Sequence, residues 1–318
     1  MLERRDSYDR LYRDFRWSIP ERFNIGVAAS DAWAAREPER TALLEYRIDG
    51  EPRRLSYGEL TALSNALANA LRSLGIGRGD RVALLLPQCF ETAITHLAIY
   101  KLGAIALPLA LLFGPEAIEY RLQTSGAKAV VTNAAGITKL KGVANRLTGL
   151  EAIVSIDGAD GAAHDFARLV ADQSPAFDAE PTLPDDPAMM IFTSGTTGPP
   201  KGALHGHRVL LGHLPGVQMP HEFLPQPGDL LWTPADWAWA GGLLNVLLPG
   251  LYFGVPVVAG RFDRFDPEAA LVLACWSCFD RVAGCSNRLR CSRFFPRRCT
   301  PSLRCWPASS ARARTLRS

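Results

Sequence analysis

The run Arg81-Val-Ala-Leu-Leu-Leu86 is short and apolar, as a strand buried on both faces must be. A helical stretch from Phe90 to Leu102, a stop at Gly103 and a second strand-like run to Leu109 follow it. Upstream, Leu60, Leu63, Leu67, Leu71 and Leu74 recur at spacings of three and four until Gly75 and Gly77 end the pattern, which predicts an amphipathic helix from Tyr57. Downstream, the spacing predicts a helix over Pro115–Thr124 stopped by Gly126, a strand over Lys128–Thr132, and a further helix and strand ending at Ile156. Strands separated by helical stretches of about ten or more residues pair in parallel through right-handed crossovers. The fold class is therefore α/β, with parallel sheets and flanking helices.

At 318 residues the chain is long enough for about two domains. Residues 1–54 read as an N-terminal extension in which Tyr8, Tyr12, Phe15 and Trp17 precede a short helical pattern near Val27 to Arg36, and they are expected to lie on the surface of the body. Residues 55–187 read as a first α/β subdomain whose last part, from 157, is a polar Asp-, Gly- and Pro-rich linker. A phosphate-loop α/β region spans 188–271, and 272–318 is an unpatterned tail expected to be disordered.

Composition supports the division. Hydrophobic residues make up 47% and charged residues 21%, ordinary globular usage. The net charge of +3 conceals an asymmetry: residues 275–318 hold ten Arg and one Asp, a charge of +9, which leaves −6 on the remainder. A body of that sign is not expected to be a specific nucleic-acid binder. Cys89 stands alone in the body, while Cys275, Cys278, Cys285, Cys291, Cys299 and Cys305 crowd the tail. The charged opening MLERRDSYDR has no apolar signal core, so a reducing cytoplasm is expected. The apolar stretch Gly242 to Ala259 is interrupted by Asn245, Pro249 and Pro256 and reads as core rather than a membrane span.

Chemistry concentrates in Ile191-Phe-Thr-Ser-Gly-Thr-Thr-Gly-Pro-Pro-Lys-Gly202, expected as an exposed loop between a strand and a helix-compatible run from Arg208. Gly195 and Gly198 let the backbone turn its N–H groups toward an anion. Ser194, Thr196 and Thr197 add hydroxyl donors, and Lys201 adds a positive charge. The Walker pattern is excluded, because there the Lys follows the second Gly directly, whereas Lys201 lies three residues past Gly198. His205, His207 and His213 bring no Cys or carboxylate with them, so no metal site is expected.

Thr193 to Gly202 resembles the signature loop of the adenylate-forming (AMP-binding) superfamily, and in particular its acyl-CoA synthetases. Leu55-Ser-Tyr-Gly-Glu-Leu60, Ser64-Asn65, Gly79-Asp-Arg-Val82, Lys101-Leu-Gly-Ala104 and Pro108-Leu109 resemble other stretches of that family in the same order. His207 resembles the His that follows the family's loop. Trp232-Thr-Pro-Ala-Asp-Trp-Ala-Trp239-Ala-Gly-Gly242 is similar to the family segment near the acyl pocket, which makes Trp239 and Gly241 the substrate-pocket candidates. The resemblance covers about Leu55 to Leu271.

The resemblance implies ATP, Mg²⁺ and coenzyme A as cofactors and a small carboxylic acid of short or medium chain as partner. The acid is adenylated and then passed to the thiol. Thr193, Ser194, Gly195, Thr196, Thr197, Gly198 and Lys201 would hold the leaving phosphates, with Lys201 the catalytic candidate. The family's later aromatic-Gly-x-Thr-Glu segment, its ribose-binding Asp and its mobile C-terminal Lys have no counterpart in these 318 residues. The sequence therefore reads as about half an enzyme, expected to be inactive alone, with the apolar Leu243 to Val258 region left uncovered. The tail reads either as an out-of-frame translation of a GC-rich gene or, starting from Cys275-x-x-Cys278, as a zinc- or nucleic-acid-binding appendage.

Overall fold

The computed structural model describes residues 2–46, 52–193 and 198–260, together with Pro267, Glu268, Ala270 and Leu273. The tail from 274 and the loop residues Ser194, Gly195, Thr196 and Thr197 lie outside the described residues. Helix α1 (Tyr8–Asp14) is capped by the Ser7 hydroxyl, which accepts the Arg10 N–H. A π-helical turn at Val27–Asp31 runs into the single turn α2 (Ala32–Ala34), and then come β1 (Thr41–Tyr46) and β2 (Arg53–Ser56).

Helix α3 (Tyr57–Ser73) starts where a reciprocal capping box forms: the Ser56 hydroxyl accepts the Glu59 N–H, and the Glu59 carboxylate accepts the Ser56 N–H. Strand β3 (Arg81–Leu85), α4 (Phe90–Lys101), β4 (Ile105–Pro108), α5 (Pro115–Ser125) and β5 (Ala127–Thr132) then alternate. Next are α6 (Ala134–Lys141), β6 (Ala152–Ser155), β7 (His164–Asp165) and α7 (Phe166–Ala171). Strands β8 (Pro187–Thr193) and β9 (Lys201–Gly206) precede α8 (Val209–Gln218) and the turn α9 (Ala240–Gly242). A π-helical turn at Leu243–Leu247, α10 (Leu248–Phe253) and β10 (Val257–Gly260) complete the order.

Seven strands form one sheet in the order β7-β6-β5-β3-β4-β8-β9, parallel throughout except for the antiparallel pair β8 and β9. Because β4 and β5 lie on opposite sides of β3, right-handed crossovers must place their helices on opposite faces. The burial agrees. Val82, Leu84 and Leu86 share one core with α3 and α4, while Ala83 and Leu85 share a second core with Ile118 of α5 and Leu140 of α6. The return from β7 to β8 reverses direction again, and Phe166 and Val170 of α7 join the first core. The expected linker from 157 thus contains a strand and a helix, and the sheet draws strands from both sides of residue 187.

A second sheet, β10-β1-β2, pairs β10 parallel to β1, with Leu43 opposite Val257. It corrects the expectation that Leu243 to Val258 is left uncovered. Leu243, Leu247, Leu248, Leu251, Val257 and Val258 are all buried. The cover comes from the chain's own beginning: the Tyr57 hydroxyl donates to the Leu251 carbonyl at 2.7 Å, and the Trp33 indole N–H donates to the Tyr252 carbonyl at 2.8 Å. Residues before 55 therefore supply a strand and aromatic anchors to the core. Among the described residues, no helix is long and apolar enough to cross a membrane.

Candidate functional site

In doubly wound sheets, ligands gather at the carboxyl ends of strands whose exits lead to opposite faces. Here β3 exits toward α4 and its neighbours β4 and β5 exit toward the other face, so the crevice lies beside the end of β3. Gln88 stands there. Its side-chain amide donates to the carbonyls of Thr233 (3.1 Å) and Ala235 (2.7 Å), and its oxygen accepts the Gly260 N–H (3.3 Å), which ties the Trp232–Gly242 segment to the sheet edge.

The glycine- and hydroxyl-rich loop leaves the same edge from β8. It joins two antiparallel strands, with Thr193 in register opposite Lys201, and so corrects the expectation of a loop between a strand and a helix. The physical reason is that Lys201 to Gly206 continues the ladder back along β8 and the helix waits until Val209. Thr193 and Lys201 are exposed, and Gly198 takes a φ of 89°, a conformation open to glycine. The stem thus presents an exposed hydroxyl and an ammonium around a glycine-shaped turn, which fits a polyphosphate. No group of three or more His, Cys, Asp or Glu that could hold a metal occurs among the described residues.

The expected pocket residues lie in the segment that Gln88 ties to the sheet. Trp239 is half-exposed and meets the Phe113 ring edge-on, with centroids 5.7 Å apart. Gly241 is exposed, with open space where a side chain would project. Trp237, by contrast, is fully buried core. Asp236 holds the turn by accepting the Ala238 N–H at 3.0 Å, and burial raises its carboxyl above the ordinary range. α8 and the turn at Leu243–Leu247 border a cavity of about 340 Å³ lined by His213, His221 and Asn245, with His213 Nδ1 donating to the Asn245 side-chain oxygen at 2.9 Å.

His207 is not part of this edge. It is fully buried, its Nδ1 accepts the Ile25 N–H at 3.1 Å, and burial pushes its pKa down to about 4. It is a neutral structural link between the N-terminal segment and the start of α8. Gln88, Phe113, Tyr120 and Arg121 escaped the sequence reading, because Gln88 follows an ordinary strand and the others lie in or beside a helix with an unremarkable pattern. Only the topology brings them together.

A largely parallel sheet with a Gly/Thr/Lys hairpin at the end of β8 is the architecture of an adenylate-forming fold. The chain belongs to the AMP-binding enzyme family, which it matches over residues 30–277. Acyl-coenzyme A synthetase ACSM3, mitochondrial, of Homo sapiens is 29% identical over 275 residues, covering 83% of this chain and 46% of the relative. The acetyl-coenzyme A synthetase of Chromobacterium violaceum is 30% identical over 278 residues, 78% of this chain and 42% of the relative. A crystal structure of an acyl-CoA synthetase of Brucella canis superposes with a TM-score of 0.75 at 30% identity, covering 85% of this chain and 50% of that one. The chain thus spans about half the length of the relatives it matches, and the match extends upstream of Leu55 to residue 30.

Proposed function

We propose that these residues form the phosphate-gripping half of an acid–thiol ligase that adenylates a small carboxylic acid of short or medium chain with ATP and transfers the acyl group to coenzyme A. The observation that carries the reading is the β8–β9 hairpin, which sets Thr193, Gly198 and Lys201 around one turn at the carboxyl edge of the sheet. Ser194, Gly195, Thr196 and Thr197 complete the loop in sequence. When a carboxylate attacks the α-phosphorus, negative charge grows on the leaving pyrophosphate, and Lys201 with the loop donors is assigned to stabilise it. Mg²⁺, when bound, would add Lewis-acid charge neutralisation.

Trp239 and Gly241 are assigned to the acyl side, the ring as an apolar wall and the glycine as open space. Cytoplasmic placement belongs to this proposal. Taken alone, the 318 residues are expected to contact MgATP weakly and not to turn over, since a phosphate grip cannot by itself orient the α-phosphorus. The zinc- or nucleic-acid-binding reading of the tail rests on residues outside those described and stays second.

The test has two parts. The 318-residue chain is titrated with MgATP alongside Lys201→Ala, which should bind several-fold more weakly. In a polypeptide running the full length of the relatives, Lys201→Ala should slow carboxylate-dependent ATP–pyrophosphate exchange by about a hundredfold or more. Unchanged exchange would remove Lys201 from the reaction.

A further inference from the structure

We propose that Tyr120 and Arg121 on α5 form a positioning clamp that fixes the phosphate hairpin relative to the Trp239 wall, so that occupancy at one is felt at the other. The inference rests on the reading of the β8–β9 hairpin as a nucleotide grip. Tyr120 reaches β8 and the residue that leads into β9. Its hydroxyl donates to the Pro200 carbonyl at 3.0 Å, one residue before Lys201, and its ring meets Phe192 edge-on at 6.4 Å, one residue before Thr193.

Arg121 extends the contact toward Trp239. Its guanidinium carbon lies 4.0 Å from the centroid of Phe113 and 5.6 Å from that of Phe192, and Phe113 is the ring that abuts Trp239. The loop bearing Phe113 is itself held, because the Lys139 ammonium donates to the Phe113 carbonyl at 2.9 Å and to the Leu111 carbonyl. Two consecutive residues of one helix thus join the hairpin's stem to the aromatic wall.

The chemistry of Arg121 argues for more than filling. The side chain is buried, donates to the Ala117 carbonyl at 2.8 Å, leaves its buried Nε without a partner and enters no ion pair among the described residues. An aliphatic residue would fill the space without burying an incompletely bonded cation. The guanidinium instead lies over the Phe113 ring and within cation–π distance of Phe192, and it holds positive charge beside an edge assigned to anions.

The test uses the full 318-residue chain labelled with 5-fluorotryptophan, the Trp239 resonance being assigned by its loss in Trp239→Phe. Without ligand, Tyr120→Phe and Arg121→Met should each shift or broaden the Trp239 signal, and Arg121→Lys should not restore it. Tyr120→Phe should leave the melting temperature within about 4 °C of the parent, since it removes a single hydroxyl. If Arg121→Met does not fold, Tyr120→Phe decides this arm, and an unmoved Trp239 signal overturns the clamp.

In the second arm MgATP is added. The parent should respond at Trp239, and Tyr120→Phe should bind MgATP about fivefold more weakly. A parent that binds MgATP no more tightly than Tyr120→Phe overturns the clamp. A parent with no MgATP response overturns the nucleotide reading of the hairpin instead, and the ligand-free arm still decides the clamp.

Discussion

Lys101 Nζ lies 2.7 Å from Asp31 Oδ2, with none of the lysine side chain left to solvent. The same ammonium donates to Ser64 Oγ at 2.9 Å and Asn65 Oδ1 at 2.8 Å, so its three donors are all used. Burial lowers its pKa, and Asp31 opposes that shift. The pair ties the Val27–Asp31 turn to α3 and α4 and is structural. Removing only Asp31 should therefore leave a buried cation unpaired. Asp31→Ala is expected to cost about 3 kcal/mol, at the lower end for a broken buried pair because Asp31 keeps partial exposure. Asp31→Ala/Lys101→Met should recover part of that loss. Urea denaturation of the three proteins checks this, and equal losses in the single and double variants would contradict it.

Acid should unfold the chain through two buried imidazoles. Burial holds His207 at about 4 and His96 at about 3, against an ordinary value near 6.5. Both are therefore neutral when folded and become charged more readily when unfolded. A depressed folded value contributes stability above pH about 6.5 that is lost as pH falls toward the folded values. For His207 the loss is about 3 kcal/mol across that window. His207→Gln should lower stability at neutral pH while flattening its decline between about pH 6.5 and 4. Thermal melts across that range measure the slope, and an unaltered slope in His207→Gln would count against the assignment.

The alternation of strand and helix was legible from Arg81 to Ile156 because each β–α unit satisfies its own periodicity locally. Helix α4 read as helix without being amphipathic, and its burial on nearly every face explains why. What could not be read was long-range pairing. Nothing local in Thr41–Tyr46 marks it as the parallel partner of Val257–Gly260, and the covering of Leu251 depends on Tyr57, far away in sequence. At the site, Gly198 and Lys201 were visible because a phosphate turn needs those residue types in a fixed short order. Phe113, Tyr120 and Arg121 were invisible because their role depends on where α5 lies against the hairpin.

Gln88 gives a local test of how the acyl-side segment is held. Its amide satisfies two carbonyls of the irregular 232–242 segment and the N–H of Gly260 at the end of β10. Gln88→Ala should cost about 2 kcal/mol by leaving those groups short of partners. It should also raise hydrogen exchange over 232–242 more than over β3 to β6. A uniform rise across the sheet would mean that Gln88 supports the whole fold rather than this segment.

Two glycines with similar backbone angles should respond differently to alanine. Gly254 sits at φ 71°, and an added Cβ would meet the Trp33 ring at 2.4 Å. That ring is fixed by its bond to the Tyr252 carbonyl and by the guanidiniums of Arg36 and Arg40 stacked on it, so it cannot easily yield. Gly198 sits at φ 89°, and among the described residues nothing lies within 4 Å of an added Cβ. Its alanine would meet only the intrinsic strain of the left-handed region, about 1–2 kcal/mol and confined to the hairpin turn. Gly254→Ala is therefore expected to lower the melting temperature by well over about 5 °C, with strain and overpacking adding together. Gly198→Ala should change the melt little while weakening MgATP contact, because the cost falls on the hairpin assigned to phosphate. Differential scanning calorimetry with a MgATP titration separates the two. A large loss of stability in Gly198→Ala, with affinity unchanged, would show that the turn serves the fold and not the ligand.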